Sequence, residues 1–221
     1  MTDDIQSEMH DGLWFRVGVT VVVVAIWFWT QSLIGSRSIP ASGIGDGLHN
    51  LTAGLNAYFM ATPKAANAVL IVSSALIDLI GVFLLGMWIF GGKSGPFLGL
   101  VLLLGLRQVV QGLCALPAPP NLIWHYPGFP SVFVTYGVAN DYFFSGHTGI
   151  AVLGAMEAAR FQKKWLTVTA IAVVVFEIAV VLILRAHYTM DVFAGGVTAL
   201  WVATVCDHIA SRVDRQLTVR S

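Results

Sequence analysis

Apolar side chains run almost unbroken through six stretches of the chain, at about 14–35, 66–90, 96–115, 144–160, 165–185 and 188–208; each approaches the ~20 residues with which an α-helix crosses a ~30 Å hydrocarbon core. The first stretch, LWFRVGVTVVVVAIWFWTQSLIG, follows an acidic start, MTDDIQSEMHDG. A removable leader carries a basic start, so this run is expected to stay as a transmembrane helix. The fourth stretch is the shortest. The pattern predicts an all-α, polytopic membrane protein: one integral membrane domain over 1–221, built as a six-transmembrane helix bundle.

Two connecting segments break the pattern. In SRSIPASGIGDGLHNLTAGLNAYFMATPKAAN, residues 47–60 alternate apolar and polar in a way that suits an interfacial helix. Asn50-Leu51-Thr52 within it is a formal glycosylation sequon, a pattern common by chance. The second segment, LPAPPNLIWHYPGFPSVFVTYGVAND, holds five of the eight prolines between 117 and 130. Each proline removes a backbone donor and crowds the preceding turn, so this is not one helix. Trp124, Tyr126, Phe129, Phe133 and Tyr136 suit a membrane interface. The segment is either an interfacial connector or a lid and binding wall.

Composition sharpens the picture. The chain is 57% apolar and 11% charged, with a mean hydropathy of +0.78. Soluble domains carry about 25% charged residues. The net charge is zero, with 12 Lys and Arg against 12 Asp and Glu; nucleic acid is a poor partner for such a chain. Cys114 and Cys206 sit in apolar stretches without metal-ligand spacing. With the N-terminus in the cytoplasm, six crossings put Arg16, Lys93, Arg160, Lys163, Lys164, Arg212, Arg215 and Arg220 inside, and Arg37 and Lys64 outside. Both termini are then cytoplasmic. The start of the fourth stretch, the end of the fifth and the start of the sixth meet on the exoplasmic face.

The candidate chemistry lies at that face. His187 and Asp191 stand at i and i+4 in HYTMD, on one side of a helix. The carboxylate can fix the imidazole tautomer and leave the other ring nitrogen free to react. A simple intrahelical hydrogen bond explains the pair equally well. His147 lies in DYFFSGHTGIA, where Ser145 is a good N-cap and Gly146 admits close backbone approach. Such a helix start favours an anion, although a capped helix with an incidental histidine has the same look. Together, two histidines and an aspartate suffice for metal-free phosphoryl transfer. A cation is still needed for the non-bridging oxygens.

Arg107, ten residues before Pro117 in the third stretch, is the first candidate for that cation. Its alternative role is an ion pair with an acidic residue such as Asp78. Arg185 either holds phosphate or snorkels to the interface. Glu177 lies about 12 Å along the helix from Arg185 by rise per residue, and is a further candidate ion-pair partner.

DYFFSGHTG followed by RAHYTMDVFAGG resembles the sphingomyelin synthase-like branch of the type 2 phosphatidic acid phosphatase (PAP2) superfamily. The run from Arg107 to Leu116-Pro117 is similar to a further sphingomyelin synthase motif. The resemblance covers about residues 100–205. It implies a double displacement, with His187 as nucleophile and phosphohistidine carrier. Asp191 would orient His187, and His147 would act as acid and then base. It implies neither metal nor cofactor. The phosphatase branch has a Lys…Arg-Pro motif that is missing here, and an arginine where this chain has Val181. Sphingomyelin synthases have Cys-Gly where this chain has Ala139-Asn140. Arg185 just before His187 is similar to the plant enzymes that exchange phosphocholine between phosphatidylcholine and diacylglycerol.

The leading expectation is a lipid phosphotransferase that moves a phospho-head group, such as phosphocholine, from a phospholipid donor to a lipid alcohol such as diacylglycerol or ceramide. Arg107, Arg185, Ser145 and Gly146 would hold the phosphate. A lipid phosphate phosphatase using water is the alternative. A transporter or scaffold is the non-enzymatic one, and it requires His147 and His187 to lie apart or be sealed by packing.

Overall fold

The computed structural model describes residues 44–91, 93–136 and 142–218, together with the helical residues Val22, Ala25 and Trp29. Two compact units are present, Met1–Gly45 and Asp46–Ser221. Apart from those three residues, the span expected at about 14–35 lies outside the described residues. Everything below concerns the second unit.

That unit is helical, with no strand among the described residues. Its elements are α1 (Gly47–Leu51), α2 (Ala53–Ala61), α3 (Pro63–Ile89), α4 (Ser94–Leu113), α5 (Gly146–Ala159), α6 (Lys164–Ile183) and α7 (Thr189–Thr218). Helices α3, α4 and α6, and Thr189–Arg212 of α7, are long and apolar enough to cross a membrane. Their outer faces show Leu79, Val82, Val101, Val168 and Val175, as a surface solvated by lipid tails should.

The fourth apolar stretch behaves differently. Helix α5 has 14 residues, about 21 Å of rise, short of the hydrocarbon thickness. Nine of its 14 residues are buried, and it packs against α3, α4, α6 and α7. The described residues therefore give four helices of spanning length where the apolar pattern leads to five. The reason is physical: a helix apolar on all sides reads the same whether lipid or protein surrounds it.

The segment expected to form one interfacial helix is two short ones, broken at Thr52. Leu51, Leu55, Tyr58 and Met60 face outward, whereas His49 and Asn56 face inward. In water that arrangement would be inside out. Facing lipid, it is the sensible one, since the polar groups find partners only inside the protein. Both amide hydrogens of Asn56 are used, on the carbonyls of Ile183 (2.8 Å) and Asn121 (3.2 Å).

The proline-rich segment is irregular, as its prolines require, but it is tied down along its length. Asp78 of α3 accepts hydrogen bonds from Ser131 Oγ (2.8 Å) and from the backbone N–H groups of Val132 and Phe133. It serves the loop, and these bonds replace the ion pair with Arg107 weighed above. Glu177 accepts from Ser73 Oγ at 2.6 Å. The Phe133 ring lies against Gly81, where any Cβ would collide with it.

Gly81→Val is expected to push Phe133 off α3 and lower stability by about 1–3 kcal/mol, the usual range for overpacking. Thermal unfolding in detergent checks this, and an unchanged midpoint would contradict the packing described.

Candidate active site

Helix α5 begins where its sequence says it should. Ser145 caps it, its Oγ accepting from the Thr148 N–H (3.3 Å) and Thr148 Oγ1 (3.1 Å). The Ser145 N–H donates to the Asp191 carbonyl (3.0 Å), which fastens the start of α5 to the first turn of α7. Gly195 allows that approach, because a Cβ there would lie 2.5 Å from the Ser145 carbonyl oxygen.

Arg107 reaches the same helix end. Its Nε donates to the Phe144 carbonyl (2.9 Å). The guanidinium lies against Gly146, where a Cβ would stand 3.1 Å from Nε. Helix α4 ends at Leu113, so Arg107 is six residues, about 9 Å, from its end. That is shallower than its distance from Pro117 implies.

A cavity of about 300 Å³ opens beside this helix end. Arg107, Gly146, His147, Tyr142 and His187 line it, and Leu122, Trp124 and Phe133 of the proline-rich loop wall it. Trp124 and His147 make a T-shaped contact, with ring centroids 5.1 Å apart at 85°. The Trp124 Nε1–H is fixed on the Thr135 carbonyl (3.1 Å). His147 Nε2 is buried without a protein partner. Both histidines line this one cavity, and the loop forms a wall of it.

His187 Nδ1 lies 2.7 Å from the Tyr142 carbonyl oxygen. A carbonyl only accepts, so Nδ1 carries the proton and the neutral ring keeps its lone pair on Nε2. Asp191 Oδ2 is 3.8 Å from Nδ1, beyond hydrogen-bond range. It accepts instead from the Tyr188 N–H at 2.8 Å. This is the acidic half of a capping box at the start of α7. Its charge also stands near the His187 ring, and its Oδ1 is buried without a partner.

Arg185 is not among the residues lining the cavity. It is 7% exposed and has φ +60, the left-handed geometry that ends many helices but is unfavourable for a residue with a Cβ. Its Nη2 donates to the His49 carbonyl (2.8 Å). His49 in turn sets Nε2 2.9 Å from the His187 carbonyl and stacks on Tyr188. Asp46 completes the clamp. It caps α1 through the Leu48 and His49 N–H groups and accepts from both the N–H (2.6 Å) and Oγ1 (2.7 Å) of Thr189. The turn carrying His187 is therefore held from outside by Asp46 and His49, and its own Arg185 reaches out to the His49 carbonyl.

Electrostatics agree with this reading. Burial pushes the Asp46 carboxyl up, but hydrogen bonds from Thr189 and His49 outweigh it and hold the group below its ordinary 3.8. Burial pulls His49 below its ordinary 6.5, against the opposing pull of its contact with the His187 carbonyl and of Asp46. A neutral Nε2–H donor is the form this clamp requires. Among the described residues, no cluster of three or more His, Cys, Asp or Glu could hold a metal ion.

The family model AtPDCT1/2 matches residues 46–212, which takes in every residue just described. The chain belongs to the AtPDCT1/2 family. A curated relative is phosphatidylcholine:diacylglycerol cholinephosphotransferase 1 of Arabidopsis thaliana, 21% identical over 209 residues, or 95% of this chain. The chain spans 63% of that relative's length. No solved structure matches it.

The match begins at Asp46, the residue that sequence reasoning passed over. Asp46 and His49 sit in a glycine-rich stretch with weak periodicity. The available sign was Asp46-Gly47 before an apolar turn, the pattern of an N-cap.

Asp46→Ala is expected to remove caps from two helices, at about 1 kcal/mol each, and to reduce any turnover that depends on His187. The Asp46 contribution is full above pH 3.8 and is lost as pH falls through its lower folded value. Unfolding against pH in Asp46→Asn should lack that acid-side fall. A fall identical to that of the natural protein would contradict it.

Proposed function

We propose that this protein is a membrane lipid phosphotransferase that moves phosphocholine from phosphatidylcholine to a lipid alcohol such as diacylglycerol. The reading includes six crossings, the fourth made by the short α5 inside the bundle where other helices surround it, with cytoplasmic termini and an exoplasmic site. It is carried by one observation: a single cavity lined by His147, His187 and Arg107. Membership of the AtPDCT1/2 family, the kinship to a phosphatidylcholine:diacylglycerol cholinephosphotransferase and the likeness to the sphingomyelin synthase-like branch of the PAP2 superfamily support it.

The chemistry follows from the lone pair left on His187 Nε2. That nitrogen attacks phosphorus, and the P–N bond forms as the P–O bond to diacylglycerol breaks. His147, which takes up a proton as the anionic phosphate settles beside it, gives that proton to the departing alkoxide. In the second step the acceptor hydroxyl returns a proton to His147 while its oxygen attacks phosphorus and the P–N bond breaks. The protein ends as it began.

Arg107 and the start of α5 face the non-bridging oxygens, where charge is held in both steps. Asp191 favours the charged imidazole that forms on attack. The loop wall of Leu122, Trp124 and Phe133 limits water while the second lipid enters. Arg185 acts through the turn that carries His187, since its Nη2 is on the His49 carbonyl.

Purified protein in vesicles should move labelled phosphocholine from phosphatidylcholine onto added diacylglycerol. Release of free phosphocholine or phosphate in place of a new phospholipid would overturn the transferase reading. His187→Ala is expected to abolish transfer. His147→Ala should lower it by about 10²–10⁴-fold, and Arg107→Ala by about 10²–10³-fold. Normal turnover in His187→Ala would refute the nucleophile assignment.

A further inference from the structure

A second cavity, of about 370 Å³, lies on the other side of the Tyr142–Gly146 segment. Leu106 and Val110 of α4 form one wall, at i and i+4 on one helix face. Ala194, Val197, Thr198 and Trp201 of α7 form the other, at i, i+3, i+4 and i+7. Phe143 and Phe144 close the end next to the candidate active site. Among the described residues no charged side chain lines it, and its polar atoms are the Thr198 hydroxyl and the Trp201 indole N–H.

Its position matters more than its size. Along one short segment, Tyr142 and Gly146 face the polar cavity, while Phe143 and Phe144 face the apolar one. On α4, Arg107 faces the first and Leu106 the second. Phe144 is 3% exposed, and its carbonyl accepts from Arg107 Nε. Val197 and Trp201 are 48% and 54% exposed, on helices long enough to cross a membrane. From Ala194 to Trp201 the groove follows α7 for about 10 Å.

We infer that the α4–α7 groove binds an acyl chain of the phospholipid whose phosphate occupies the polar cavity. The inference rests on the lipid-transfer reading above and adds where the donor lies. An amphiphile fits this pair of cavities because one thin partition separates a cationic site from an apolar one. Its phosphate meets Arg107 and the start of α5, and its chain lies over Phe143 and Phe144 into the groove. Burial of methylenes there orients the phosphorus toward His187, and a head group without a chain gains none of it.

The test uses the whole protein in vesicles of phosphatidylethanolamine and phosphatidylglycerol doped with a phosphatidylcholine that carries a mid-chain diazirine. After photolysis, labelling of α4 and α7 groove peptides should saturate with probe. It should fall several-fold in Val197→Trp, which fills the groove from its exposed rim. Labelling at Val168 and Val175 on the outer face of α6 should rise in proportion to probe in both proteins. Trp201→Ala, which removes a wall without adding bulk, should also weaken saturable labelling. In turnover, the ratio of long-chain to short-chain phosphatidylcholine use should fall about tenfold in Val197→Trp.

Groove labelling that rises without saturation and is unchanged by Val197→Trp would overturn the inference. So would an equal loss for both chain lengths. Saturable labelling without phosphocholine transfer would keep the groove and remove the reaction. Transfer without saturable labelling would do the reverse.

Discussion

A helix bundle that shows lipid an apolar face has to satisfy its buried polar groups from within, because hydrocarbon offers no hydrogen bonds. The turn between α6 and α7 is where this constraint is tightest. Its exposed carbonyls and N–H groups would be costly left alone. The Leu184 carbonyl accepts from the Ile123 N–H, and the Ile183 carbonyl from Asn56. His49 holds the His187 carbonyl, and Asp46 holds Thr189. These partners come from two segments distant in sequence. The His187 ring stands where they put it, so the geometry of the candidate nucleophile is inherited from a hydrogen-bond requirement.

The same requirement explains why sequence reasoning succeeded in some places and failed in others. Long helices advertise themselves through apolar runs, and α3, α4, α6 and α7 lie close to where those runs put them. SGHT and HYTMD carry a local signature, and Arg107 stands out as a charge in an apolar helix. All three meet at one cavity. The clamp left little trace, because Asp46, His49 and Asn56 bind mainly backbone atoms, and any residue type supplies a carbonyl. Arg185 illustrates the limit. Adjacency to His187 suggested phosphate, but its left-handed backbone turns the side chain to the His49 carbonyl. Helix α5 illustrates another, since hydropathy does not distinguish a central helix from a lipid-facing one.

The two cavities give the arrangement a functional logic. A soluble phosphotransferase can bind its substrate by polar contacts all round. Here the polar side chains of the first cavity, among the described residues, are Arg107, the two imidazoles, Thr135 and Tyr142, and the rest of the lining of both cavities is mostly aromatic or aliphatic. On the proposed reading, specificity for a lipid comes from the boundary between the two environments, at Phe143 and Phe144. Asp78, which holds Ser131, Val132 and Phe133, keeps the loop wall in place over that boundary.

On the proposed reading, His187 carries the phospho-head group between two lipids. Peptide mapping under alkaline quench, after incubation with phosphatidylcholine and no acceptor, tests it most directly. A phosphocholine adduct on His187 that disappears when diacylglycerol is added is the expected result. Transfer that proceeds with no adduct, or with the adduct on another residue, would contradict it.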